Sequence, residues 1–216
     1  MIQETATLNR KSVTTVIPPI IEVKGLYKSF GVKNPVLKGV DIAVTKGENL
    51  VVLGKSGSGK SVTIKCMVGL VKADKGEVRL FDTDIAAVNP KELNNLRMKV
   101  GFLFQNAALY DSMTVRENLE FPLRRHLKTL TDDEVEEAIT ETLESVGLAE
   151  AIDKMPSELS GGMRKRIGLA RTLILKPEII LYDEPTTGLD TITSREISEL
   201  MLAVQEKYKT TAVIIT

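Results

Sequence analysis

The sequence predicts one α/β domain, and three observations lead to this fold class. The chain has 216 residues, which is long enough for one sizeable core and short for two. Hydrophobic residues make up 43% and charged residues 27%, as in ordinary globular domains. Short β-like runs lie on both sides of a long segment with helical periodicity, and one run leads into a glycine-rich turn and a helix.

Charge and hydropathy exclude several classes of function. The 29 basic and 29 acidic side chains cancel, so we expect no nucleic-acid partner, which usually requires a basic field. No run approaches the roughly 20 apolar residues that span a bilayer, and the first 20 residues lack a signal core. We therefore expect a cytoplasmic chain. Cys66 is the only cysteine, and its apolar helical context predicts a buried, inert thiol.

The first elements are predicted from turn residues and apolar runs. Residues 1–19 are polar and end in two prolines, which indicates an arm outside a domain that covers 20–216. A helix is expected from about Lys60. Before it, strand-like runs occupy residues 20–23, 36–44 and 50–53.

The second half is predicted to be mostly helical before it returns to strands. Residues 90–159 show helical periodicity, and Thr131 with Glu134 forms a capping-box pattern. The helix after Thr131 is expected to bury Val135, Ala138, Ile139, Leu143 and Val146. The remaining predictions are helix at 160–175, strand at 179–182, an amphipathic helix that carries Ile197, Leu200, Met201, Val204 and Tyr208, and an apolar run at 211–216.

A glycine-rich segment predicts nucleotide binding. It fits the pattern G-x-x-x-x-G-K-S, in which backbone N–H groups and a helix N-terminus surround phosphates. Lys60 would then reach the β and γ phosphates of ATP, and Ser61 would ligate Mg²⁺. The alternative is a chance glycine turn, which its position between a β run and a helix disfavours. The expected ATP-binding residues are Gly54, Lys55, Ser56, Gly57, Ser58, Gly59, Lys60, Ser61 and Val62.

Two carboxylates follow a buried strand. The run at 179–182 ends in Asp183 and Glu184, at the sheet edge where α/β proteins bind ligands. Asp183 suits a magnesium ligand, and Glu184 suits the general base that polarises an attacking water. A solvated Asp-Glu turn before Pro185 is the alternative, and the phosphate loop upstream disfavours it.

The order of these motifs resembles the ABC ATPase family. Five motifs follow one another as in that family. They are a phosphate loop, a helical insert that opens at Gln105, the segment Leu159–Met163, the strand before Asp183 and Glu184, and Gly188–Asp190. The resemblance covers 20–216. It implies a P-loop NTPase of ABC type, with a RecA-like α/β core, an antiparallel β subdomain and a helical subdomain at about 106–159.

The resemblance also implies roles for residues outside the phosphate loop. Two copies would dimerise head to tail, so that Ser160, Gly161 and Gly162 of one copy cap the γ-phosphate held by the other. A serine and two glycines at a helix start do present donors to an anion, although an ordinary helix cap is the alternative. Phe30 would stack on adenine. Tyr27 is the other aromatic residue that could do so, and the alternative interpretation of Phe30 is an aromatic side chain of the core. Gln105 would contact magnesium, and Asp190 would belong to the D-loop.

Several features refine or limit the resemblance. Met163 stands where glutamine is common, and together with Met155–Glu158 and Phe104–Asp111 it resembles the Mla or Mce type, the ATPases of phospholipid transport. The family's switch histidine would follow Thr216, so we expect the chain to be truncated there. His126 is expected to be solvated or capping, and Arg164, Lys165 and Arg166 are expected to form a solvated helix face.

The resemblance predicts the nucleotide-binding subunit of a transporter. It implies membrane permease subunits as partners, a position on the cytoplasmic face of the inner membrane, and a possible small accessory subunit. The rival is a non-transport ABC protein, but this chain has neither the second ATPase domain nor the long coiled-coil insert of such proteins. Among transporters, amino-acid import and lipoprotein release are the alternatives to lipid transport.

Overall fold

Two four-stranded sheets form the framework of the chain in the computed structural model, which describes residues 18–31 and 35–216. Most of the predicted arm, residues 1–17, lies outside the described residues. The strands are β1 Ile21–Ser29, β2 Pro35–Val44, β3 Asn49–Val52, β4 Lys75–Leu80, β5 Thr83–Asp84, β6 Val100–Leu103, β7 Ile179–Asp183 and β8 Thr211–Ile215. The α-helices are α1 Lys60–Met67, α2 Pro90–Met98, α3 Val115–His126, α4 Asp132–Ser145, α5 Gly161–Leu173 and α6 Thr191–Tyr208.

The first sheet is antiparallel, with strand order β2-β1-β4-β5. Along its strands, residues that point to the covered face alternate with residues that point to solvent, as expected for a sheet covered on one side. On β1, Ile21, Val23 and Leu26 are buried. The sequence reasoning did not find β4 and β5, although Val78 and Leu80 alternate with Arg79 in a strand-like pattern.

The second sheet is parallel, with strand order β3-β8-β7-β6. All five residues of β7 are buried, as expected for a central strand covered on both faces. Residues 90–159 are mostly helical, as predicted, but they also contain the strand β6, which was not predicted. Its four residues are too few for periodicity to separate helix from strand, and pairing with β7, from Val100 opposite Ile179 to Leu103 opposite Tyr182, decides the outcome.

The helices of the second half begin at side-chain caps. Capping boxes join Thr114 to Glu117 at α3 and Thr131 to Glu134 at α4, and the second of these confirms the prediction. The predicted apolar face of α4 is buried at Val135, Ile139 and Leu143, and Val146 after it is buried as well. Two short 3₁₀ turns, Ala149–Ala151 and Pro156–Glu158, lead from α4 to α5.

Alternate residues of β7 belong to two different cores. Ile180 and Tyr182 pack with α3, α4, α5 and α6, whereas Ile179 and Leu181 pack with α1 and the antiparallel sheet. The parallel sheet therefore lies between two apolar layers, and among the described residues a cavity beside Ser61 and Glu184 lies at its carboxyl edge, where α/β proteins bind ligands. Cys66 is buried in the second core, as predicted, and burial raises the pKa of its thiol.

The predicted amphipathic helix is α6, which buries Ile197, Met201 and Val204. Across the described residues, none of the helices is both long enough and apolar enough to span a bilayer.

Candidate active site

The phosphate loop, residues Gly54–Ser61, connects β3 to α1 at the carboxyl edge of the parallel sheet. Gly59 has a φ of +94°, and a Cβ built there would lie 2.8 Å from Leu37 Cδ2 and 2.9 Å from Val36 Cγ1. Backbone conformation and space therefore both require glycine at this position. The first turn of α1 follows directly, which places its unpaired N–H groups beside the loop.

The side chain of Lys60 is buried and folds back over the loop. Its ammonium donates to Gly54 O at 2.7 Å and to Lys55 O at 3.1 Å, and lies 3.9 Å from Glu184 Oε1. A buried cation needs such partners, and two of the three belong to the loop, while the third is the predicted base. The geometry holds a positive charge where phosphates would bind.

Ser61 and Asp183 meet at the start of α1. Ser61 Oγ donates to Asp183 Oδ1 at 2.8 Å, and Asp183 itself is buried. A hydroxyl and a carboxylate are the hard oxygen ligands that Mg²⁺ prefers. No cluster of three or more His, Cys, Asp or Glu suited to a metal occurs among the described residues. Besides Ser61 and Asp183, the ligands would therefore be the predicted amide oxygen of Gln105, phosphate oxygens and water.

Glu184 occupies a left-handed backbone position, with a φ of +47°. Its N–H donates to Ile215 O at 3.0 Å, which ties it to the end of β8. Gln105 Nε2 and Thr187 Oγ1 each donate to Glu184 Oε2 at 3.2 Å. The amide of Gln105 therefore points its nitrogen at the predicted base and keeps its oxygen free of that contact.

Lys165 corrects the prediction of a solvated face at residues 164–166. Arg164 is exposed, but Lys165 is only 6% exposed and points into the molecule. Its ammonium donates to Gln105 O and, at 3.4 Å, to Glu184 O. Burial lowers the pKa of Lys165, and the charges of Asp183 and Glu184 oppose that shift. Arg164 is exposed and Lys165 buried because neighbouring residues lie about 100° apart around the helix α5, so the two side chains point in different directions.

The signature segment, residues Ser160–Gly162, lies at the start of α5 and lines a cavity separate from the phosphate loop. Ser160 is the N-cap of α5 and accepts a bond from Met163 N at 3.2 Å, so the local capping role is present. A Cβ built at Gly162 would lie 2.6 Å from Thr193 Cγ2. The segment therefore packs closely against the start of α6.

Asp190 lines the same cavity as the signature segment and is the N-cap of α6. Its carboxylate accepts bonds from Thr193 Oγ1 at 2.6 Å and from the N–H groups of Ile192 and Thr193, both at 3.0 Å. The bonds from Thr193 lower the pKa of Asp190. Residues 184–190 thus connect the two cavities through a short turn.

Phe30 lies at the end of the antiparallel sheet and is 58% exposed. This exposure rules out the alternative of a core aromatic. Lys28 Nζ lies 5.4 Å from the centroid of the Phe30 ring. Tyr27 is 42% exposed, and its hydroxyl lies against Gly39. Neither ring lines the cavity at the phosphate loop, whereas Val62 does.

His126, as predicted, is exposed.

The structure thus brings one group of predicted site residues together and leaves the others apart. The phosphate loop, Gln105, Asp183 and Glu184 meet at one edge of the parallel sheet. The signature segment and Asp190 line a second cavity. The sequence reasoning missed the role of Lys165 in joining Gln105 to Glu184.

The chain is similar to known proteins in sequence and in fold. The sequence profile of the family described as "ABC transporter" matches residues 37–187. The chain is 43% identical over 196 residues, or 91% of its length, to the probable ribonucleotide transport ATP-binding protein mkl of Mycobacterium leprae, of which it covers 56%. It is 45% identical over 193 residues, or 86% of its length, to the chloroplastic protein TRIGALACTOSYLDIACYLGLYCEROL 3 of Arabidopsis thaliana, of which it covers 55%.

A solved structure shares the fold. The ATP-binding cassette MJ0796, in a dimeric post-hydrolysis state bound to ADP and phosphate, superposes with a TM-score of 0.82 at 31% identity, over 91% of this chain and 87% of that one. The chain spans about half the length of the two curated relatives named above.

Proposed function

The chain belongs to the ABC transporter family, and we propose that it binds ATP with Mg²⁺ and hydrolyses it to ADP and phosphate as the nucleotide-binding subunit of a transporter. One observation carries the proposal. Ser61 bonds to Asp183 at 2.8 Å while Lys60 lies 3.9 Å from Glu184, so the phosphate loop and the carboxylate pair form one site. The groups that binding and hydrolysis each require are therefore adjacent.

In the proposed mechanism the phosphate loop binds the anion first. Lys60 exchanges its bonds to Gly54 O and Lys55 O for bonds to the β and γ phosphates. Ser61 and Asp183 would hold Mg²⁺, which neutralises charge on the phosphates when bound. Loop, helix N-terminus and Lys60 together present positive charge that needs little rearrangement during the reaction.

Glu184 then acts as the general base in this proposal. Its carboxylate takes a proton from the water that attacks the γ-phosphorus, and the bond to the β–γ bridging oxygen breaks. Gln105 and Thr187 donate to the same carboxylate oxygen and so fix its direction. The other oxygen, Oε1, faces Lys60.

The separate cavity at the signature segment supports a second copy of the chain as partner. Ser160–Gly162 and Asp190 line that cavity, while the phosphate loop lines another. A head-to-tail pair would bring the signature segment of each copy to the ATP of the other. The dimeric cassette MJ0796 is consistent with this arrangement. Phe30, with its exposed ring, would stack on the adenine of its own copy.

We propose a phospholipid or another envelope lipid as the substrate of the whole transporter. Met163 and the segments around Gln105 and Met155 support the Mla or Mce type, and one relative carries the name of a galactolipid. The other relative is named for ribonucleotide transport, which provides the competing substrate class. Membrane permease subunits would select the substrate and hold this chain at the membrane, and a small accessory subunit is a further proposed partner.

The experiment is purification of the full chain with the membrane proteins that accompany it, followed by two measurements. Phosphate release from ATP, compared with and without Mg²⁺, tests the enzymatic part. Mass spectrometry of bound small molecules tests the substrate class, with detergent-washed empty membranes as control. Enrichment of lipid is the expected result, and recovery of ribonucleotides or amino acids without lipid would contradict it.

A further inference from the structure

The signature helix α5 contacts the loop after β6 at three positions, each three residues from the next. Lys165 Nζ donates to Gln105 O, and Arg171 Nη1 donates to Ala108 O. Between them, a Cβ built at Gly168 would lie 2.7 Å from Ala107 Cβ, so the helix and the loop are in direct contact there. The three helix positions are three residues apart and therefore lie along one side of α5.

The loop held in this way has an unfavourable backbone conformation. Ala107 has a φ of +59° and Ala108 a φ of +51°, in the left-handed region that alanine rarely adopts. Two such residues in succession persist only when surrounding contacts hold them. The contacts from α5 provide this support immediately after Gln105.

Lys165 extends the connection to the predicted base. Its ammonium also lies 3.4 Å from Glu184 O, and Glu184 is itself left-handed, with a φ of +47°. At 6% exposure this cation depends on protein partners rather than on water. One ammonium thus joins the backbone of Gln105 to the backbone of Glu184, whose side chains bond to each other at 3.2 Å.

We propose that Lys165 is a positioning residue that sets the relative placement of Gln105 and Glu184 and ties both to the signature helix. It does not contact the reacting atoms. This proposal rests on the proposed function, because it gives Glu184 the role of base. Since Ser160 is the N-cap of the same helix, a displacement of α5 is transmitted through Lys165 to the carboxylate that activates water.

The first test measures backbone protection without any need for turnover. Hydrogen exchange of the full chain is compared between parent, Lys165→Met and the matched control Arg164→Met, which removes an exposed cation from the adjacent residue. In Lys165→Met we expect faster exchange at residues 104–109 and 184–187, because two backbone segments lose a shared donor. Unchanged exchange at both segments would overturn the proposal. Should Lys165→Met fail to fold, Lys165→Gln takes its place. Its shorter side chain keeps a donor but cannot reach both carbonyls, so at least one of the two segments should still exchange faster than in the parent.

The second test separates binding from chemistry. Lys165→Met should lower the kcat for ATP about tenfold to a hundredfold, as expected for a displaced base, and change the Kd for ATP by less than about threefold. Lys165→Gln should recover part of the rate. A purely structural role would instead lower affinity and rate together, and that result would refute positioning. A chain that fails to bind ATP at all would refute the proposed function, while hydrogen exchange would still decide whether Lys165 holds the two segments.

A double-mutant comparison identifies the group through which Lys165 acts. If Lys165 positions Glu184, its substitution should have little further effect on single-turnover hydrolysis in a Glu184→Gln background, because the base is already lost. An undiminished effect in that background would show that Lys165 acts on another part of the site and would overturn the proposal.

Discussion

The hydroxyl of Ser61 donates a 2.8 Å hydrogen bond to Asp183 Oδ1, although 122 residues separate the two in the chain. Ser61 stands in the first turn of α1, and Asp183 is the last residue of β7. The strands β3 and β7 run in parallel with β8 between them, so the elements that follow each strand meet at one edge. Parallel topology thus accounts for the meeting of the phosphate loop and the carboxylate pair.

Replacing Lys60 by alanine should weaken nucleotide binding. The substitution removes the cation that bonds to Gly54 O and Lys55 O and that would face the phosphates, and charge-assisted bonds contribute about 1.5 to 3 kcal/mol. We expect the Kd for ATP to rise about tenfold to a hundredfold in a titration with a fluorescent ATP analogue. Lys65→Ala, on the same helix but in its last turn, is the control. Unchanged affinity in Lys60→Ala would count against the phosphate-loop assignment.

Replacing Glu184 by glutamine should separate binding from turnover. The amide keeps the shape of the side chain and loses the base, which should lower phosphate release about a hundredfold or more while ATP affinity remains close to parental. ATP should then hold two copies together, and light scattering would detect the dimer. Glu199→Gln, an exposed change on α6, is the control. Parental turnover in Glu184→Gln would show that another group activates the water.

The elements that could be predicted from the sequence are those that depend on residues close together in the chain. The capping box at Thr131, the glycines of the phosphate loop and the apolar run before Asp183 all depend on neighbouring residues, and the structure places each element as predicted. Asp183 and Glu184 could be placed at the ligand-binding edge because they follow a strand-like run, whereas the role of Gln105 was expected from the resemblance alone, since the strand before it was not predicted.

The features that were missed depend on tertiary contacts. The strand β6 is only four residues long, and pairing with β7 rather than periodicity defines it. Lys165 looks like its exposed neighbour Arg164 in a basic run, and only the direction of the side chain from α5 separates a solvated charge from a buried one. No residue close to Lys165 in sequence indicates that its partners are the carbonyls of Gln105 and Glu184.

Replacing Gly76 by alanine should destabilise the antiparallel sheet. Gly76 has a φ of +97°, and an added Cβ would lie 2.4 Å from Gly25 O and 2.6 Å from Lys24 O, which are backbone atoms that cannot rotate away. We expect a loss of at least about 2 kcal/mol and a Tm lower by at least about 4 °C.

Gly25→Ala is the matched control for this substitution. It also introduces alanine at a positive φ, +55°, but its added Cβ meets no atom within 4 Å. Gly25→Ala should therefore lower the free energy of unfolding by only about 1 to 2 kcal/mol, the cost of a left-handed alanine. Calorimetric melting of both variants checks the difference, and equal losses would show that the contact with β1 relaxes without cost.

Replacing Asn118 by aspartate should destabilise the turn before α3 in a pH-dependent way. Asn118 is fully buried, and its Nδ2 donates to Tyr110 O at 3.1 Å, Met113 O at 3.0 Å and Thr114 O at 2.9 Å. A carboxylate would place an anion against three carbonyl oxygens, which burial makes still less favourable. Only its protonated form could donate there, so the pKa of the introduced carboxyl should rise in the folded state.

The sign of the pH dependence follows from that raised pKa. Above about pH 4, the ordinary value for Asp, the unfolded chain releases the proton that the folded chain keeps, so the unfolded state binds fewer protons and stability falls as pH rises. Below about pH 4 both states are protonated and this part of the loss disappears. Urea unfolding at pH 4.5 and 7.5 should therefore show a larger deficit from the parent at pH 7.5, growing by at most about 1.4 kcal/mol per pH unit. Asn95→Asp, an exposed change on α2, should show no such trend. A deficit for Asn118→Asp that is equal at both pH values would mean that the introduced carboxyl reaches water, and that the three carbonyl contacts do not enclose this side chain as the structure shows.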